Sequence, residues 1–221
     1  MMLFTNKFFL FFFMLVPFFL ITGPAIPDII ITFSLIFFLI YFLLVKGDFY
    51  FIKDRFFIIS IFFWLSIIFV SLYAYDKLKS FQDSIIFLRF LIMPTIGYFL
   101  FFSSEDKLKK ITTIIFYCIC FVLIDSLFQY LNYESETGFG KDLLGFKSDW
   151  YGRLTGPFGD ELVPGAYMSK FGLLGYLYFY FIKNKKYNNY FEILYLGLLG
   201  FACFASGERM AFATYFMGLF L

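Results

Sequence analysis

The chain has 221 residues, of which 62% are hydrophobic, 27% aromatic and only 15% charged, with a net charge of +2. Soluble domains are about 45–50% apolar and about 25% charged, and forty phenylalanines are more than one soluble core of this length can cover. The composition therefore excludes an ordinary soluble domain, and the near-balanced charge supplies no basic field for nucleic acid.

A bilayer core takes about 20 apolar residues per helix, within a range of about 17–25. Runs that are free of charge, or carry one isolated charge, predict spans near 8–22, 29–45, 56–74, 84–102, 111–131, 166–182 and 191–205, with an eighth starting at 210. The fold class expected is all-α: a polytopic transmembrane bundle with about eight spans and one sizeable loop over 132–165. The eighth run is still apolar at Leu221, so a longer protein is expected. The first run follows Lys7 but has no small-residue cleavage site after it. It reads as an uncleaved helix, turned by Gly23, Pro24 and Pro27 into the second.

Orientation follows from the Lys and Arg residues of alternate loops. One set holds Lys7, Lys46, Lys53, Arg55, Lys107, Lys109, Lys110, Lys183, Lys185 and Lys186; the opposite set holds Lys77, Lys79, Lys141, Lys147, Arg153 and Arg209. The richer set predicts a cytoplasmic N-terminus, which puts the loop 132–165 on the outer face. Within that loop, 138–150 alternates apolar and charged residues and is expected to lie on the outer leaflet as a short interfacial helix.

Polar residues inside such a chain need an explanation. Arg89 falls within the fourth span; it either snorkels to the headgroups or faces a partner in the bundle. Asp125 and Gln129 share one face of the fifth span, where an acid is either hydrogen-bonded within the bundle or lines a cavity under the outer loop. Cys118, Cys120 and Cys203 lie in apolar runs and read as small buried hydrophobes. With no histidine in the chain, the commonest metal ligand and general base is missing, and no metal or cofactor is expected.

The densest polar island is 153–167, in which Arg153 opens a run with Gly156, Pro157, Gly159, Asp160, Glu161, Pro164 and Gly165. The glycines and prolines forbid a regular helix and allow backbone such as that of Gly156 close to a ligand. Asp160 and Glu161 have two roles open to them: proton acceptor for an attacking hydroxyl, or pairing with Arg153. A second motif, Ser206-Gly207-Glu208-Arg209, ends the seventh span. Guanidinium groups fit phosphate oxygens bidentately, so Arg153 and Arg209 together form a candidate diphosphate clamp.

These two motifs, at this separation and after this run of helices, resemble the O-antigen ligase and O-antigen polymerase family of bacterial envelopes. The resemblance implies a metal-independent, multi-pass glycosyltransferase of the inner membrane, working at its periplasmic face. It implies transfer of a glycan from undecaprenyl pyrophosphate to a sugar hydroxyl, on another lipid-linked repeat or on lipid A core. Carried onto this chain, Arg153 and Arg209 would hold the diphosphate, with Asp160 and Glu161 nearby and Arg89, Gly156 and Asp125 as substrate-binding candidates. The competing reading is a transporter or flippase, in which Arg89 and Asp125 line a substrate path.

Overall fold

The computed structural model describes residues 7–44, 53–101, 104–135, 138–181 and 188–220. Lys46, Lys183, Lys185, Lys186 and Leu221, on which the loop count and the chain end draw, lie outside the described residues. The described residues are mostly helical, as expected: α1 (Lys7–Met14), α2 (Val16–Thr22), α3 (Ala25–Leu44), α4 (Arg55–Ser71), α5 (Lys77–Phe101), α6 (Glu105–Leu131), α7 (Pro164–Phe181), α8 (Asn188–Ala205) and α9 (Arg209–Leu219). They fall into two compact units. One takes the described residues of Met1–Phe13 and Ala25–Lys107, the other those of Met14–Pro24 and Leu108–Leu221.

In the first unit α5 packs against both α3 and α4. Its start is capped by Asp76, whose carboxylate accepts the Lys79 N–H at 3.1 Å, satisfying a donor that a helix N-terminus leaves free. The Trp64 indole N–H donates to the Ser84 carbonyl at 2.9 Å and ties α4 to α5. The α3–α5 contact holds an ion pair, with Arg89 Nη2 2.7 Å from Asp28 Oδ2. Arg89 also donates from Nη1 to Thr32 Oγ1 at 2.8 Å. Of the two readings of Arg89, the structure supplies the partner.

In the second unit α7, α8 and α9 pack on one another through small residues. A Cβ on Gly172 would collide with Leu199, and one on Gly175 would lie 2.8 Å from the Tyr195 hydroxyl oxygen. Glycine at these places lets the backbones approach, as small residues do between membrane helices. The tyrosines cross-link the same helices: Tyr195 donates to the Gly172 carbonyl at 2.8 Å and Tyr215 to the Leu196 carbonyl at 2.7 Å.

Helix α6 is apolar on its exposed face as well as over most of its buried one. Its buried face carries Thr112, Asp125, Ser126 and Gln129 among apolar residues, while Tyr117, Phe121, Ile124, Phe128 and Leu131 stand exposed. Those exposed residues recur every three or four positions, which makes one stripe. Water would penalise that arrangement and lipid favours it. Among the described helices α6 alone is long and apolar enough to cross a bilayer; the apolar stretches Ala25–Phe37, Arg55–Ser71 and Asn189–Ala205 are shorter.

Two expectations need correction. The run 8–22 is not one helix: it breaks at Leu15, and Pro17 sits at the start of α2, where its fixed φ and missing N–H suit a first turn. The segment 138–150 is not an interfacial helix. Its start pairs as an antiparallel ladder of β1 (Tyr133–Glu134) with β2 (Gly138–Phe139), followed by an antiparallel bridge between Lys141 and Lys147. Gly145 takes φ +90° at the turn between the lysines, a value that L side chains rarely adopt.

Candidate functional site

The loop from α6 to α7 carries Arg153 between two anchors. On one side Ser148, 3% exposed, donates to the Arg153 carbonyl at 2.7 Å. On the other, Gln129 of α6 reaches up from a fully buried position. Its Oε1 accepts the N–H groups of Thr155 and Gly156 at 3.0 and 2.9 Å, and its Nε2 donates to Thr155 Oγ1 at 3.2 Å. One amide thus satisfies three polar groups that would otherwise be buried without partners. Leu154, between the anchors, is 1% exposed. The backbone at Arg153 has little freedom left.

A 3-10 turn over Gly156–Phe158 follows and rests on α2 and α7. Phe158 meets the ring of Tyr167 at 5.4 Å, and Tyr167 donates to the Pro17 carbonyl at 2.7 Å. Asp160 and Glu161 come next and are exposed. Neither forms an ion pair with Arg153, and among the described residues the ion pairs are Arg89–Asp28 and Lys147–Glu134.

The acid that organises the site is Glu208. Its Oε1 accepts the Gly165 N–H at 2.9 Å and its Oε2 the Ala166 N–H at 3.1 Å, so one carboxylate caps the N-terminus of α7. Its own backbone is the N-cap of α9. Ser206, fully buried, donates to the Cys203 carbonyl at 2.8 Å and accepts the Glu208 N–H at 3.3 Å. Burial pushes the Glu208 carboxyl above its usual range; the two amides and the nearby charges of Arg153 and Lys170 oppose that without reversing it.

Gly207, at φ +75°, brings the second motif against the first. A Cβ there would lie 3.2 Å from the Gly152 carbonyl and 3.4 Å from Arg153 Cγ. The next residue but one, Arg209, opens α9 and is exposed. Arg153 is half-buried, and its Nε has no hydrogen-bond partner among the described residues. The two segments that carry the predicted arginines are therefore packed together, with the Arg153 guanidinium not tied up in an ion pair.

The remaining candidates divide. Asp125, fully buried in α6, accepts the Leu143 N–H at 3.0 Å through Oδ1, while its Oδ2 and Ser126 Oγ have no hydrogen-bond partner among the described residues. A Cβ on Gly156 would lie 2.7 Å from Ser126 Oγ and 3.6 Å from that Oδ2, so Asp125 and Gly156 meet beneath the loop. Arg89 stands in the first unit with Asp28 and Thr32. Sequence reasoning missed three supports: Glu208 as a cap, Gln129 as the loop's anchor, and Ser148. Glu208 had a local signal, an acid directly before a helix start. Gln129 had one in sharing a face with Asp125, whereas Ser148 acts through a turn with no local signature. Comparison with protein-family models, with curated proteins and with solved structures returns no match to this chain.

Proposed function

We propose that this chain is a multi-pass membrane glycosyltransferase of the O-antigen ligase or polymerase type. In this reading it lies in a bacterial inner membrane with its N-terminus in the cytoplasm and crosses the bilayer about eight times. The observation that carries the proposal is the packing of Gly207 on Gly152 and Arg153, which unites the two arginine motifs. The exposed apolar stripe of α6 supports the membrane part.

In the reaction, an acceptor sugar hydroxyl attacks the anomeric carbon of the donor glycan, and the bond from that carbon to the undecaprenyl pyrophosphate oxygen breaks. Negative charge grows on the departing diphosphate, and donors fixed in advance lower that barrier most. Arg153 and Arg209 supply the positive charge there, Arg153 from a backbone already held by Ser148 and Gln129. The hydroxyl proton needs an acceptor; Asp160 and Glu161, exposed and outside the ion pairs, are available for it. Both Glu208 oxygens are engaged by amides, which suits Glu208 to positioning. The transport reading loses support, because Arg89 already has its counter-charge in Asp28.

Deleting the gene and examining surface polysaccharide tests the proposal. Loss of long or lipid-A-linked chains, restored by the wild-type gene but not by Arg153→Ala, is the expected result. Unchanged polysaccharide in the deletion strain would overturn it, and lipid-linked repeats accumulating on the cytoplasmic side would favour a flippase.

A further inference from the structure

The turn after Lys141 folds back down the side of α6. The bond from the Asn132 side chain to the Lys141 carbonyl, 3.2 Å, fixes that lysine's backbone at the end of the helix. Two residues on, the Leu143 N–H donates to Asp125 Oδ1 at 3.0 Å. Asn132 and Asp125 are seven positions apart, which at 1.5 Å per residue is about 10 Å of helix axis. The tip of the turn therefore sits well below the helix end. There Leu143, Leu144 and Phe146 are 49%, 54% and 46% exposed.

Most of the backbone donors of this tip are satisfied from within. Asp142 N–H donates to the Phe146 carbonyl at 2.8 Å and Gly145 N–H to the Asp142 carbonyl at 3.2 Å. Phe146 N–H goes to Asp142 Oδ1 at 2.7 Å. With Leu143 on Asp125, four of the five N–H groups from 142 to 146 have an acceptor inside the unit. A loop in water has no need of this; a loop at membrane depth does, because unpaired backbone donors there cost several kcal/mol each. The charge is arranged to match. Asp142 is 4% exposed, while Lys141 and Lys147 face each other at the mouth of the turn, Lys147 paired with Glu134 at 3.3 Å, so that the charged groups keep to the headgroup end of the turn.

We infer that 141–147 is a re-entrant hairpin whose tip, Leu143, Leu144 and Phe146, inserts into the outer leaflet of the bilayer beside α6. Its partner is the acyl region of the lipid, and the role of Asp125 is to hold the tip at that depth. The inference rests on the membrane embedding proposed above and not on the transferase chemistry.

Tryptophan depth quenching tests it. In a Trp64→Phe, Trp150→Phe background, Phe146→Trp keeps an aromatic ring at the tip, Leu144→Trp is a second probe should the first disturb folding, and Ile124→Trp marks the exposed stripe of α6. Each protein is reconstituted into phosphatidylcholine vesicles with or without bromines on the acyl chains. The expected result is strong bromine quenching and a blue-shifted emission for both the tip and the α6 probe, with little quenching by aqueous acrylamide. A quenched α6 probe beside a tip that only acrylamide reaches overturns the hairpin insertion and leaves the membrane reading standing. An α6 probe that bromines do not reach overturns both.

Discussion

At the residue scale, Glu208 is the group whose chemistry differs most from its place in the sequence. The segment 153–167 offers Asp160 and Glu161 as the acids beside Arg153, and the structure leaves both exposed. Glu208 arrives instead from beyond α8, because Gly207 turns the chain at φ +75° and a carboxylate is the best ligand for the free amides at the start of α7. Burial raises the carboxyl of Glu208. The folded state therefore favours its protonated form more than the unfolded state does. Its contribution to stability is complete below the unfolded pKa and is lost as pH rises through the higher folded pKa. The melting temperature of detergent-solubilised protein should fall as pH climbs from the acid side through that window, and Glu208→Gln should flatten the fall. A Glu208→Gln profile as steep as that of wild type would remove Glu208 from this account.

At the scale of elements, and in the membrane setting proposed above, the apolar runs locate the helices because a helix in lipid needs little more than length and hydrophobicity. Breaks are legible where Pro and Gly mark them, as between α2 and α3. The break at Leu15 is harder to see, since only Pro17 interrupts unbroken apolar sequence. The paired backbone of β1 with β2 and of Lys141 with Lys147 is also read wrongly from the sequence. Alternating apolar and charged residues also fit a short surface helix, and what decides the matter is a long-range bond from Asp125 to Leu143, which no local pattern encodes. The loop that carries Arg153 depends in the same way on Gln129. Gln129→Leu would leave the Thr155 and Gly156 amides buried without an acceptor, at a cost of about 1–3 kcal/mol for each unsatisfied group. Thermal unfolding of the variant should shift down accordingly, and proteolysis should cut first in the loop after α6. A variant as stable and as protease-resistant as wild type would contradict the anchoring role.

For the whole molecule, composition and the exposed apolar stripe of α6 support the proposed membrane setting. In the proposed reading lipid covers the exposed Phe121, Ile124 and Phe128, while Asp125 and Gln129 are buried. The candidate site was legible as two arginine motifs, and their union was not, since it depends on Gly207 fitting against the Gly152 carbonyl. The central claim is that this union handles a diphosphate leaving group. The most direct measurement is the release of undecaprenyl diphosphate from a lipid-linked glycan by membranes of the native host carrying the wild-type chain or its Arg153→Lys variant. Lysine keeps the charge and loses the fork, so the account predicts acceptor-dependent release by the wild type and a rate at least about tenfold lower for the variant, or about 1.4 kcal/mol of lost transition-state stabilisation. Equal release by both proteins, or by membranes lacking the chain, would contradict it.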